Sequence, residues 1–279
     1  MPSTIRTNSG IDIPQVGFGV YQIPAARATE TVRIAIDAGY RHIDTAQVYG
    51  NEAEVGTAIA ASGLPREDIF ITTKLNPSHH GYVSAIVGLE ESLRRLRTPY
   101  VDMYLLHWPS PGKDQYLESW RACEDLLAQG KVRSIGVSNL AVADLVWLAE
   151  RSETVPAVNQ IELHPSFQQA DLRQYHLSHG IITEAWGPLA CGQSLTDPTL
   201  QTLAAKYGKT PAQLILRWHV QLGNIPLPKS VTPSRIRENL ALVDFRIDAD
   251  DMERIAALDG DPRGVPSRTM RASLPRWQS

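Results

Sequence analysis

The chain has 279 residues, 43% of them hydrophobic and 20% charged, a composition that suits a packed globular core and excludes the apolar-poor, charge-rich class of disordered chains. A formal charge of −3 gives no electrostatic reason to expect nucleic acid or an anionic membrane surface as a partner. Only Cys123 and Cys191 are present, too few for a disulfide framework and without metal-ligand spacing, so both read as reduced thiols.

Residues 1–6 lead into the polar run Thr7-Asn8-Ser9-Gly10 with no apolar stretch long enough for a signal peptide or a spanning helix, so a cytoplasmic location is expected. Residues 4–13 read as a short hairpin around Asn8, Ser9 and Gly10, suited to plugging the floor of a barrel. Eight short β-branched or apolar runs follow, at 16–20, 42–44, 69–74, 101–107, 134–138, 157–162, 181–185 and 224–228. Helical patterns at 25–38, 52–61, 82–96, 116–128, 141–149, 170–178, and 200–207 with 211–221 separate them, and a last helix is expected at 233–242. Parallel strands need crossover helices, so eight strand–helix units in unbroken rhythm predict an α/β fold: a single (β/α)8 TIM barrel over residues 1–279. An open doubly wound sheet is the rival, but no strand runs into a G-x-G-x-x-G turn. After Leu258 the chain becomes rich in Gly, Pro and Arg, which predicts an irregular C-terminal tail.

Chemistry in such a barrel sits on the loops that follow the strands. Asp44 follows His42-Ile43, Lys74 follows Ile71-Thr72-Thr73, and His107 follows Tyr104-Leu105-Leu106. Ser138 and Asn139 follow Ile135-Gly136-Val137, Gln160 follows Val158-Asn159, and Lys229 follows Pro228. Singly, each has a structural explanation: Asp44 as a helix cap, Lys74 snorkelling to solvent, His107 as a core histidine. Together they place an acid, two lysines, an imidazole and amide groups on one rim. A lysine at the end of a buried strand needs a counter-charge, and Asp44 on the neighbouring strand is positioned to supply it.

The segment Gly39-Tyr40-Arg41-His42-Ile43-Asp44-Thr45-Ala46, with Tyr49, Glu52 and Gly56, resembles the first signature of the aldo-keto reductases. Arg133-Ser134-Ile135-Gly136-Val137-Ser138-Asn139 resembles the second, and Leu227-Pro228-Lys229-Ser230-Val231-Thr232 with Arg235, Glu238 and Asn239 resembles the third. The likeness covers essentially the whole chain and is nearest to the prokaryotic 2,5-diketo-D-gluconate reductases. It implies a catalytic tetrad of Asp44, Tyr49, Lys74 and His107 in an NADPH-dependent carbonyl reductase, with Tyr49 as proton donor. An ordinary phenol has a pKa of about 10, and a depressed value is expected here because the Lys74 ammonium stabilises the phenolate. Asp44 would hold Lys74, and His107 would orient and polarise the carbonyl.

The resemblance also implies that Ser138, Asn139 and Gln160 hold the nicotinamide amide and that Trp186 stacks on the ring, with Gly187, Pro188 and Leu189 along the pyrophosphate. Lys229, Ser230, Val231, Thr232 and Arg235 would take a 2′-phosphate, which favours NADP(H) over NAD(H), while Glu238 and Asn239 would reach the adenine. A solvated helix pair of Arg235 with Glu238 is the structural alternative. Tyr21, Gln47, Asn76, Trp108 and the loop 109–115 are the expected substrate contacts, with the tail around Trp277 as a lid. That lining suggests a small hydroxylated or keto-acid substrate. A monomer is expected, with neither nucleic acid, membrane nor metal as a partner.

The chain departs from the family pattern at Asn76, where similar members carry tryptophan, at Leu140, where an aromatic residue is usual, and at Ala190-Cys191, where the diketogluconate enzymes have glycine after Gly-Pro-Leu. Three other functions stay open on the residues alone. They are a Schiff-base lyase using Lys74, a metal-assisted hydrolase using His42, Asp44 and His107, and an NADPH-binding, redox-sensing regulatory barrel.

Overall fold

The computed structural model describes residues 3–109 and 112–260. Strands β1 (Thr4–Arg6) and β2 (Asp12–Pro14) pair antiparallel with Ile5 opposite Ile13, forming the expected hairpin. The repeating part then runs β3 (Phe18–Gly19), α1 (Ala25–Ala38), β4 (His42–Asp44), α2 (Glu52–Ala60), β5 (Phe70–Leu75), α3 (Tyr82–Leu96), β6 (Met103–Leu106) and α4 (Lys113–Ala128). It continues through β7 (Ile135–Ser138), α5 (Val142–Ala149), β8 (Val158–Glu162), α6 (Ala170–Ser178), β9 (Ile182–Trp186), α7 (Pro198–Lys206), α8 (Pro211–Gln221) and β10 (Ile225–Pro226). Helices α9 (Pro233–Glu238) and α10 (Ala249–Ala256) follow.

Strands β3 to β10 lie side by side in sequence order, each parallel to the next. The two ends of the sheet meet: the Gly17 and Gly19 N–H groups donate to the Pro226 and Pro228 carbonyls, each at 3.1 Å. Glycine is what permits this approach, since a Cβ at Gly17 would stand 2.4 Å from Leu227 Cδ2 and one at Gly19 would stand 3.3 Å from the Leu227 carbonyl oxygen. Proline at 226 and 228 supplies acceptors but no donors, so the seam strands are shorter than the runs 16–20 and 224–228 predict.

Two apolar layers hold the barrel. The larger lies between strands and helices. The smaller fills the floor, where Ile13 of the hairpin packs with Phe70, Met103, Leu105, Val158, Ile225 and Leu227. Ser9 Oγ meets Ser134 Oγ at 2.8 Å, and Asn8 Nδ2 donates to the Pro156 carbonyl at 3.2 Å, so the hairpin plugs the floor as predicted. Helix α9 stops at Glu238, four residues short of the expected end, and continues as irregular turns. The sequence reading omitted α10, whose start Asp248 caps by accepting from the Asp251 N–H at 2.9 Å. The irregular tail and the lid expected around Trp277 lie outside the described residues, as do Ser110 and Pro111 of the loop 109–115.

Candidate active site

The rim is assembled by β4, β5, β7, β8 and β9, which carry Asp44, Lys74, Ser138, Gln160 and Trp186, and by turns after β3, β4, β5, β6, β7 and β9. Tyr49 ends a 3-10 turn (Gln47–Tyr49) that Gly50 closes in the left-handed region at φ 66°. Buried Asn51 fixes that turn to its neighbour, accepting from Thr45 Oγ1 and donating to the Val20 and Ile23 carbonyls at 3.0 and 3.1 Å. On the other side Gln47 accepts from the Asn76 N–H at 2.7 Å and donates to the Gly88 carbonyl at 2.6 Å. Both ends of the Gln47 amide therefore hold backbone, where the sequence suggested a substrate contact.

Lys74 is fully buried and does not snorkel. Its Nζ donates to Asp44 Oδ1 at 2.7 Å, to the Thr45 carbonyl at 2.9 Å and to the Tyr49 hydroxyl at 3.3 Å. Burial alone would lower its pKa, but Asp44 and then Tyr49 outweigh that penalty, and the value ends above the ordinary one. A charged ammonium is a poor nucleophile, which counts against the Schiff-base reading. The Tyr49 ring is half-buried, yet its hydroxyl lies against this ammonium. Burial pushes the phenol up to about 12, with Lys74 pulling the other way. The expected depression of its pKa is therefore corrected: desolvation exceeds the attraction to the cation.

His107 is nearly buried, and burial followed by the Lys74 charge holds its pKa well below the ordinary value, so the ring is neutral near pH 7. Five rings form an arc across the mouth. Tyr21 to Tyr49 is 5.0 Å between centroids, Tyr49 to His107 5.7 Å, His107 to Trp108 6.1 Å and Trp108 to Trp186 6.4 Å.

Behind the tetrad, Gln160 Nε2 donates to Asp44 Oδ2 and to Glu184 Oε2, both at 2.8 Å. Sequence reasoning passed over Glu184, whose signal was an acid inside the apolar run 181–185. Burial first, then the neighbouring Asp44, raises its pKa to about 8, so it is mostly protonated at pH 7 and one lysine balances one aspartate. His42 turns to Thr72 Oγ1 at 2.9 Å. Among the described residues no group of three or more His, Cys, Asp or Glu side chains is arranged to hold a metal.

The Ser138 hydroxyl donates to the Gln160 carbonyl at 2.8 Å, and Asn139, at φ 64°, donates to the His107 carbonyl and to Ser138 Oγ while accepting from Trp186 Nε1. Pro188 is buried, and Gly187 and Leu189 are half-buried. Ala190 and Cys191 stand in left-handed conformations at φ 49° and 54°, the geometry that glycine meets without strain. Leu140 is buried and its carbonyl accepts from Asn159 Nδ2. At the seam, Ser230 Oγ accepts from the Thr232 N–H at 3.1 Å. Lys229 and Arg235 are exposed, and neither joins an ion pair among the described residues, Glu238 included. Glu238 instead accepts from Thr210 Oγ1 at 2.6 Å, and Asn239 is buried beyond the helix end. Among the described residues no helix is long and apolar enough to cross a membrane.

The model of the aldo/keto reductase family matches residues 15–260. A solved aldo/keto reductase from Brucella melitensis superposes with a TM-score of 0.90 at 51% identity, covering 93% of this chain and 100% of that one. A glyoxal reductase of Bacillus subtilis is 44% identical over 96% of each chain. A Bombyx mori aldo-keto reductase solved in complex with NADP reaches a TM-score of 0.90 at 34% identity, covering 100% of this chain and 99% of that one. With a closed parallel barrel, a buried Lys–Asp pair against a tyrosine hydroxyl and these similarities in agreement, the chain belongs to the aldo/keto reductase family.

Proposed function

We propose that this chain reduces small aldehydes and ketones, dicarbonyls and keto-sugar acids among them, with NADPH as reductant and Tyr49 as general acid. The observation that carries the reading is Tyr49 Oη at 3.3 Å from the buried, Asp44-paired ammonium of Lys74, with the neutral His107 ring beside it. A phenol held at about 12 keeps its proton at neutral pH, the state a donor requires. As charge develops on the carbonyl oxygen, that oxygen becomes a stronger base than a phenolate, and Lys74 stabilises the phenolate left behind. His107 adds an uncharged N–H donor to the same oxygen. Substrate contacts are assigned to Tyr21, Asn76 and Trp108, with Gln47 holding the loop that carries Asn76.

The residues suit the cofactor. The Gln160 nitrogen is committed to two carboxyl groups, so its Oε1 is left to accept from the carboxamide N–H, and Asn139 Oδ1 keeps a second lone pair. The half-buried Trp186 offers a face for stacking, and the uncommitted Lys229 and Arg235 suit a 2′-phosphate. When bound, NADPH supplies the hydride. The Bacillus subtilis relative named for glyoxal and the NADP-bound Bombyx mori structure support both halves of this reading. Tyr49→Phe is expected to lower NADPH oxidation with glyoxals or diketones by about 10²- to 10⁴-fold and to leave NADPH binding intact. A Tyr49→Phe chain that reduces aldehydes at the native rate overturns the assignment.

A further inference from the structure

His107 acts on the substrate through its ring, yet its Nδ1 is buried and makes no hydrogen bond. No side chain therefore orients the imidazole from behind, as a carboxylate or carbonyl commonly does for a functional histidine. Its hydrogen-bonded anchor is the main chain. Asn139 Nδ2 donates to the His107 carbonyl oxygen at 3.1 Å and to Ser138 Oγ at 2.9 Å. That amide is held at its other end by the Trp186 indole, whose Nε1–H donates to Asn139 Oδ1 at 2.8 Å.

The sense of the amide is fixed by its neighbours. An indole N–H only donates and a backbone carbonyl only accepts, so oxygen must face Trp186 and nitrogen must face His107. Asn139 sits at φ 64°, a conformation Asn tolerates better than most residues, and its own N–H is spent on the Gln160 carbonyl at 3.0 Å. Three strand ends, those of β6, β7 and β9, are thus tied by one side chain.

We propose that Trp186 is a positioning residue for His107: its indole N–H locks the Asn139 amide, and that amide holds the His107 carbonyl, so the ring lining the cofactor site also sets where the imidazole stands. Stacking needs only an aromatic face, which Phe supplies. The lock needs the N–H, which neither Phe nor Tyr can place on the indole nitrogen's position. The inference rests on the carbonyl-reductase reading, because only there does the place of His107 affect turnover.

The test is a double-mutant cycle of Trp186→Phe and Asn139→Gly, the glycine being chosen for the positive φ. Trp186→Phe is expected to lower kcat about five- to tenfold, the size of one hydrogen bond of roughly 1 kcal/mol, with the NADPH Kd changed less than about threefold. In the Asn139→Gly background the same substitution is expected to change kcat less than twofold, the non-additivity of groups acting in series. In the cofactor-free chain the Trp186 indole N–H signal should be protected from hydrogen exchange and lose that protection in Asn139→Gly. If Asn139→Gly does not fold, Asn139→Asp serves, since it keeps the acceptor for the indole and removes the donor to His107. Additive effects on kcat, an unchanged kcat in Trp186→Phe, or an unprotected indole N–H in the native chain overturn the proposal. A native chain that neither binds nor oxidises NADPH instead defeats the functional reading on which it rests.

Discussion

Asp44 and Asp102 are both buried and lie at opposite ends of the barrel, one at the end of β4 at the rim and the other before β6 at the floor. Asp102 is satisfied by its own chain: Arg66 donates to Oδ2 at 2.8 Å, Arg133 to Oδ1 at 2.7 Å and the Ile71 N–H to Oδ2 at 2.9 Å. Arg66 also reaches Thr98 Oγ1 and the Ile69 and Tyr100 carbonyls. Asp44 has Lys74 and Gln160, but around it His107 Nδ1 and Glu184 Oε1 are buried without partners. A cluster that only has to hold closes its hydrogen bonds internally, whereas one that receives a ligand leaves capacity unspent.

The largest effect should come from removing the charge at the rim. Asp44→Asn leaves the fully buried Lys74 ammonium without a counter-charge, at a cost of about 3 kcal/mol, and lets the ammonium drift from Tyr49. Turnover is expected to fall at least about 100-fold, measured by NADPH oxidation beside urea midpoints. A variant retaining half the native rate would erase the distinction between the two ends.

Acid and alkali probe the buried histidines and the buried Glu184 through linkage. Burial, first among the causes, lowers the pKa of His42 and His219 to about 3 and that of His80 and His176 to about 4, and it lowers His107 as well. Their folded values lie below 6.5, so the unfolded chain binds these protons more tightly and stability is lost as pH falls below 6.5. Glu184 has the opposite sign. Its folded value of about 8 lies above 4.5, so its contribution is whole below 4.5 and is lost as pH rises towards 8. His42, Asp44 and Lys74 face this carboxyl, and Asp44 is the neighbour that disfavours its charge. Urea midpoints at pH 5, 6.5 and 8 should therefore show Glu184→Gln gaining steadily on the native chain as pH rises. Parallel curves would remove Glu184 from the account.

At the floor, Asp102→Asn should cost about 1–3 kcal/mol and leave turnover within about twofold. Arg66 and Arg133 are 19% and 42% exposed, so both can turn to water when the carboxylate loses its charge. A large loss of rate with little loss of stability would show that the closed cluster serves the chemistry after all.

The two ends were unequally legible in the sequence. Strand β4, the helices at 25–38, 82–96, 170–178 and 211–221, and the convergence of Asp44, Lys74 and Gln160 were readable, because they follow from local periodicity and from position at strand ends, whereas Tyr49 came only from the resemblance to the family. The Asp102 network was not, since its arginines lie 36 and 31 residues away and only the pairing of β6 with β5 and β7 brings them in. Gln47 looked like a substrate contact because it is polar and beside the first signature, but packing holds both ends of its amide on backbone. The sign of the Tyr49 shift depended on burial, which spacing along a chain does not report.

The smallest effect extends the comparison to the seam between β3 and β10. Arg235 is exposed and uncommitted there, whereas Arg237, two residues on, donates to the Pro233 carbonyl at 3.4 Å. If unspent capacity marks a ligand site, Arg235→Ala should weaken NADPH binding by about tenfold, the lower range for one charge-assisted hydrogen bond. NADH, which lacks the 2′-phosphate, should bind both chains alike. Arg237→Ala supplies the control, because it removes the same formal charge nearby and should act only through screened attraction. Equal losses for the two variants would mean that general positive charge, rather than a specific phosphate contact, draws the cofactor to this edge of the barrel.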